Sequence, residues 1–201
     1  MPAPAFVISA LRGAPMSRSP TYNLSGMSAL VMEHSSFLLS AVSLICRSVG
    51  IRPVHETTSS ADALAQLCEL SPDFVITTCG ADGSDGVGLC EAIRGDENSP
   101  NRFVPIIMMT SHSVKSVVER ARDAGVTEVL AKPISAATLL DRVVYVIDHP
   151  RAFVQAPAYF GPDRRRRPAD APYDGPERRM APPRHVTAPA LDTGRPSAVT
   201  A

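Results

Sequence analysis

No stretch of this 201-residue chain is long and apolar enough to cross a membrane as a helix, which takes about 20 apolar residues. The N-terminal apolar run Phe6-Val7-Ile8-Ser9-Ala10-Leu11 is too short, and no basic segment precedes it, so it makes a poor secretory signal. The four cysteines, Cys46, Cys68, Cys79 and Cys90, include no CxxC pair. Cys46, Cys68 and Cys90 each fall within an apolar helical pattern and read as reduced core thiols of a cytoplasmic protein. Cys79 stands at a strand end, where exposure is expected, but no neighbour in sequence would lower its pKa. Net charge is also missing, yet its two halves are unequal. Residues 1–148 carry 11 Lys/Arg against 15 Asp/Glu, whereas residues 149–201 carry nine Arg against five acids. That last quarter also holds ten of the 19 prolines, which places a domain boundary near Pro150. Residues 1–27 read as a flexible leader, with Met16 or Met27 as alternative starts.

Between Ser28 and His149 short apolar strands alternate with amphipathic helices. Ala29–Glu33 is a first strand. Ser35 or Ser36 caps a helix whose apolar face reads as Phe37, Leu38, Val42, Ile45 and Val49. Pro53–Glu56 is a weak second strand, followed from Ser59 or Ser60 by a helix with Ala61, Ala63, Leu64, Leu67 and Cys68 inward. Phe74–Thr77 is a third strand and Val87–Arg94 a third helix. Val104–Met109 is almost unbroken in apolar character, as expected of a strand buried on both faces. A helix follows from Ser111 or Ser113 to Gly125, then a strand Thr127–Ala131, then a helix capped by Ser135. Such alternation predicts an α/β fold: a doubly wound, five-stranded parallel sheet of the flavodoxin-like (βα)5 type, with a disordered leader and tail. The functional site of such a sheet lies beyond the carboxyl ends of its strands. Those ends bring together Glu33, His34, Thr78, Thr110 and Lys132.

Three strings carry a more specific signal: Met108-Met109-Thr110-Ser111, Arg122-Asp123-Ala124-Gly125-Val126 and Leu130-Ala131-Lys132-Pro133-Ile134-Ser135. With Asp73–Gly86 they make residues 28–149 resemble the receiver domain of bacterial two-component response regulators. The resemblance implies an aspartate that accepts a phosphoryl group from a histidine kinase, two adjacent acids that hold magnesium, and a Thr and a Lys that bind the transferred phosphoryl group. Thr110 and Lys132 match. Thr78 stands where the acceptor aspartate belongs, and its hydroxyl cannot form an acyl phosphate. Glu33 and His34 stand where the acid pair belongs, and imidazole is not the hard oxygen ligand magnesium prefers. Val129 replaces the aromatic that reports the switch. Asp85-Gly86 matches the family as a turn. The resemblance therefore implies a degenerate pseudo-receiver with no metal, no cofactor and no enzymatic activity. Lys132 is expected to pair with Glu33. Docking is expected around Val114–Arg122 and Thr138–Val146, on a histidine kinase, a phosphotransferase or an output protein. Phosphorylation at Thr78 by a serine/threonine kinase, or at Asp82, is an alternative, and His34 is a candidate pH sensor.

The tail repeats a short motif. Tyr159-Phe-Gly-Pro-Asp-Arg-Arg-Arg-Arg is followed fourteen residues on by Tyr173-Asp-Gly-Pro-Glu-Arg-Arg. The pattern is aromatic, any residue, Gly-Pro, acid, Arg-Arg. Arginine forks bind phosphates in pairs of hydrogen bonds. Arg164, Arg165, Arg166, Arg167, Arg178 and Arg179 are therefore candidate ligands for a cyclic dinucleotide. A net charge of +4 is weak for nucleic acid. The tail reads as disordered on its own, with Phe153, Val154 and Phe160 as residues able to fold back onto the domain.

Overall fold

The structure, a computed structural model, describes residues 24–80, 85–97, 99, 101–111, 115–164 and 184–186. Five strands, β1 (Ala29–Met32), β2 (Val54–Thr57), β3 (Phe74–Cys79), β4 (Ile106–Thr110) and β5 (Glu128–Ala131), form a parallel sheet in the order β2-β1-β3-β4-β5. Helices α1 (Ser36–Ser48), α2 (Ser60–Leu70), α3 (Asp85–Gly95), α4 (Lys115–Asp123) and α5 (Ala136–Asp148) make the crossovers. Successive strand residues point to opposite faces. Ala29, Val31, Phe74, Ile76, Ile107 and Met109 therefore meet α1 and α5 through Leu39, Val42, Cys46, Leu139, Val143 and Val146. Leu30, Met32, Val75, Ile106 and Met108 meet α2, α3 and α4 through Ala63, Leu67, Cys90, Ile93 and Ala121. Both faces are covered, which is why β3 and β4 are buried at every residue.

Three helices start where a serine hydroxyl can accept a first-turn amide. Ser35 accepts from Leu38, Ser59 from Asp62, and Ser135 from Thr138 in a reciprocal capping box. Register then sets the level of the strand ends. Met32 pairs with Thr77, Cys79 with Thr110, and Thr110 with Ala131.

Several sequence expectations are corrected. The buried face of α1 is Leu39, Val42, Ser43 and Cys46, while Phe37 is 79% and Leu44 67% exposed. Apolar residues surround this helix, so periodicity alone admits more than one inward face. Cys68 is exposed and Cys79 buried, the reverse of expectation. Cys68 follows the inward Leu67 and is turned out by the helical step, whereas Cys79 ends the central strand β3 and joins the core. Burial pushes the Cys46 thiol up to about 11 and the Cys90 thiol to about 12, so neither supplies a thiolate at neutral pH. Leu24 and Met27, assigned to the leader, are buried in the core.

The largest correction lies past Pro150. β6 (Phe153–Ala156) and β7 (Tyr159–Pro162) form an antiparallel hairpin, and β8 (Arg184–Val186) pairs along the other side of β6. The expectation of a disordered tail from residue 150 thus does not hold for residues 153–164. Phe153 and Phe160 fold back, meeting Phe103 edge-on at 5.0 and 5.2 Å. Such pairs stabilise by about 1 kcal/mol beyond area burial. Arg151 adds a 2.7 Å ion pair to Glu128 at the start of β5.

Candidate functional site

At the carboxyl end of the sheet, Glu33 follows β1, Thr78 lies in β3, Thr110 ends β4 and Lys132 follows β5. The Lys132 Nζ reaches Glu33 Oε2 at 2.6 Å and donates to Thr78 Oγ1 at 2.9 Å. The Ser35 amide donates to the other oxygen, Glu33 Oε1, at 3.2 Å. The backbone of Lys132 is held in turn, its amide donating to the Thr110 carbonyl at 2.7 Å. Glu33, Thr78 and Thr110 are all buried. The expected Glu33–Lys132 pair therefore forms and includes Thr78.

His34 does not join them. It is exposed, and its Nδ1 donates to the Thr58 carbonyl at 3.1 Å, on the β2 side. Gly86, at the start of α3, lies so close to the Thr78 carbonyl that a Cβ there would overlap it. This is the steric content of the Asp85-Gly86 match. Val129 sits in β5, partly buried. Asp82, Ser113 and Val114 lie outside the described residues, as do Arg165, Arg166, Arg167, Arg178 and Arg179. Among the described residues no three His, Cys, Asp or Glu side chains cluster with metal-site geometry. Likewise no described helix is long and apolar enough to cross a membrane.

A five-stranded parallel sheet with Thr and Lys at adjacent strand ends is the receiver arrangement, and residues 29–144 match the model of the response regulator receiver domain. The chain belongs to this family. It is therefore a two-component signalling protein, and histidine kinases are the kind of partner its family implies. The receiver is 29% identical over 117 residues to chemotaxis protein CheY-3 of Vibrio cholerae, covering 58% of this chain and 88% of that one. The chemotaxis response regulator CheY4 of Vibrio cholerae shares the fold with a TM-score of 0.54 at 24% identity, over 60% of this chain and 98% of that one. The receiver domain of sensor histidine kinase PA1611 from Pseudomonas aeruginosa gives 0.51 at 27% identity, over 59% and 94%. That domain was solved with a magnesium ion coordinated in its active-site cleft.

The opposite pole of the receiver holds a second polar centre that sequence reasoning missed. Arg94, near the end of α3, is buried, and its guanidinium donates to the carbonyls of Gly125 (3.1 Å), Arg102 (2.6 Å) and Val104 (2.7 Å). Its guanidinium carbon lies 5.1 Å from the centre of the Phe153 ring. Burial pulls its pKa down to about 10, so it is still charged at neutral pH. In sequence Arg94 looks like an ordinary basic residue near a helix C-terminus. The only hint was the group of aromatics past Pro150, which has to pack on something.

Arg164, proposed above as an anion ligand, is engaged by the receiver itself. It pairs with Asp123 Oδ1 at 2.9 Å and lies 4.0 Å over the Tyr159 ring. The cleft beside it is lined by Arg94, Arg102 and Arg184 but also by Glu91, Glu97 and Asp123. Equal numbers of opposite charges do not make an anion site.

Proposed function

We propose that this receiver takes no phosphoryl group on aspartate, is not an enzyme, and signals by docking on a histidine kinase. The observation that carries the first part is the closed Glu33–Lys132–Thr78 contact. The one carboxylate of the described site is held by Lys132, and the acceptor place holds a hydroxyl. This donor set does not fit a magnesium ion, which calls for several oxygen ligands and at least one free carboxylate. The Thr78 hydroxyl is a poor target for a serine/threonine kinase, being buried and hydrogen-bonded to Lys132. Treatment of the full chain with acetyl phosphate and magnesium is expected to leave its intact mass unchanged. An added phosphoryl group would overturn this reading, and the acceptor would then need mapping.

The docking face is proposed on α1. The α4 and α5 faces expected from sequence expose Val118 and Tyr145 at 37% each, whereas α1 exposes Phe37 at 79% and Leu44 at 67%. No residue of α1 before Arg47 is charged, and the helix starts beside Glu33, so a kinase helix seated there reaches the site. Leu44→Glu is expected to weaken binding of the chain to a histidine kinase at least about tenfold, since it places a charge in an apolar contact. Titration calorimetry reads the effect. Unchanged affinity would move the docking face elsewhere.

A further inference from the structure

We propose that the mixed-charge cleft between the hairpin and the end of α3 binds a small zwitterion, a free amino acid or a short peptide, by its two opposite charges. The cleft measures about 680 Å³, within the range of roughly 300–1,000 Å³ usual for small-molecule sites. Strand register fixes one wall. Gln155 of β6 lies opposite Phe160 of β7 on one side and Arg184 of β8 on the other. Residues directly opposite across strands share a face, so these three side chains form one row. Phe160 shows where the row points: its ring meets Phe103 of the receiver, and its centre lies 3.5 Å from the Arg102 guanidinium carbon. Gln155 and Arg184, both exposed, therefore line the cleft on its hairpin side.

The opposite wall is the end of α3, where Glu91 and Glu97 are exposed and line the same cleft. Gly95 lies between them in the chain, and a Cβ there would meet no atom within 4 Å. Most other charges of the cleft are satisfied within the protein. Arg94 donates to three carbonyls, Arg102 donates to the Arg94 carbonyl at 3.0 Å, and Arg164 pairs with Asp123. Glu91 and Glu97 on one wall and Arg184 on the other remain, and among the described residues no ion pair joins them. The two walls are also fixed in place. Arg94 ties the end of α3 to the receiver, and the Phe103–Phe153–Phe160 cluster ties the hairpin to it. Opposite charges thus face each other across a preformed space.

That arrangement selects the ligand. A simple anion at Arg184 is repelled by Glu91 and Glu97, and a simple cation at the glutamates is repelled by Arg184. A molecule that carries both charges satisfies both walls. Its carboxylate accepts from the Arg184 guanidinium, whose planar fork matches such a group, with the Gln155 amide as a further donor. Its ammonium donates to Glu91 and Glu97. The hairpin tip adds Ala156, Pro157 and Ala158 to the lining, which suit small apolar side chains.

The test titrates L-alanine and, separately, trialanine into the isotope-labelled full chain. The expected result is that the amide resonances of Glu91, Gly95, Glu97, Gln155 and Arg184 shift. Shifts with alanine assign free amino acids, and shifts with trialanine alone assign short peptides. Trialanine acetylated at its amino end and amidated at its carboxyl end carries neither charge and should not bind. Arg184→Ala and Glu97→Gln should each weaken binding at least about tenfold, as expected for the loss of one charge-assisted contact. Gly95→Leu keeps every charge but fills the open space, and should abolish binding. The backbone of Gly95 is not left-handed, so it accepts a side chain. No shift with either ligand, equal binding of the capped peptide, or binding unchanged by Arg184→Ala or by Gly95→Leu overturns the proposal. None of these outcomes depends on whether the chain accepts a phosphoryl group.

Discussion

Replacing Lys132 with alanine is expected to lower the unfolding free energy by about 3 kcal/mol, read from urea denaturation, because it leaves the buried Glu33 carboxylate without its counter-charge. The side chains of the pair are only 18% and 5% exposed, so water replaces little of the lost contact. The same change removes the donor to Thr78. Against a total of about 5–15 kcal/mol such a loss is large. The double variant Lys132→Ala with Glu33→Gln is expected to recover most of it, because a neutral amide does not need the ammonium. A loss below about 1 kcal/mol would show that Glu33 is solvated, as surface pairs are, and the closed-site description would fail.

An effect at least as large is expected at the other pole. Arg94→Met keeps much of the side-chain volume but strips the donor from three carbonyls, those of Gly125, Arg102 and Val104. Each buried carbonyl left unpaired costs about 1–3 kcal/mol, and some relaxation is available, so about 4 kcal/mol is the expected total. Arg94→Lys is expected to rescue less than half of this. A single ammonium cannot span three acceptors set out for a planar fork. The residue also ties the receiver to the hairpin through Phe153. Loss of Arg94 should therefore raise amide exchange in residues 153–162 as well as in β4. Full rescue by lysine would mean that charge alone matters there. Unchanged exchange in the hairpin would mean that Phe103 and Glu128 hold it without Arg94.

The sheet was legible because apolar runs of four to six residues, bounded by Pro, Gly and capping Ser, leave few alternatives to buried parallel strands. Thr78, Thr110 and Lys132 were legible for a related reason: each stands at or just past a strand end, and parallel register brings such ends to one level. The rest was not, and particular residues show why. Phe37 and Leu39 are equally apolar, and only the position of α1 on the sheet made Leu39 core and Phe37 surface. Arg94 is buried because the segment leading into β4, the turn at Gly125 and the hairpin converge on it from distant parts of the chain. No local pattern encodes that convergence.

The sequence by itself determined the alternation of strands and helices, the serine caps, the threonine at position 78, and the repeated Tyr-x-Gly-Pro-acid-Arg motif. All of these are carried by residue type and spacing along the chain. Only the tertiary structure decided that Thr78 joins the Lys132–Glu33 pair, that Arg164 serves the receiver's own Asp123, and that residues 153–162 form a packed hairpin. Those outcomes depend on which side chains meet across long stretches of chain, and that is decided by the shared burial of two faces of one sheet.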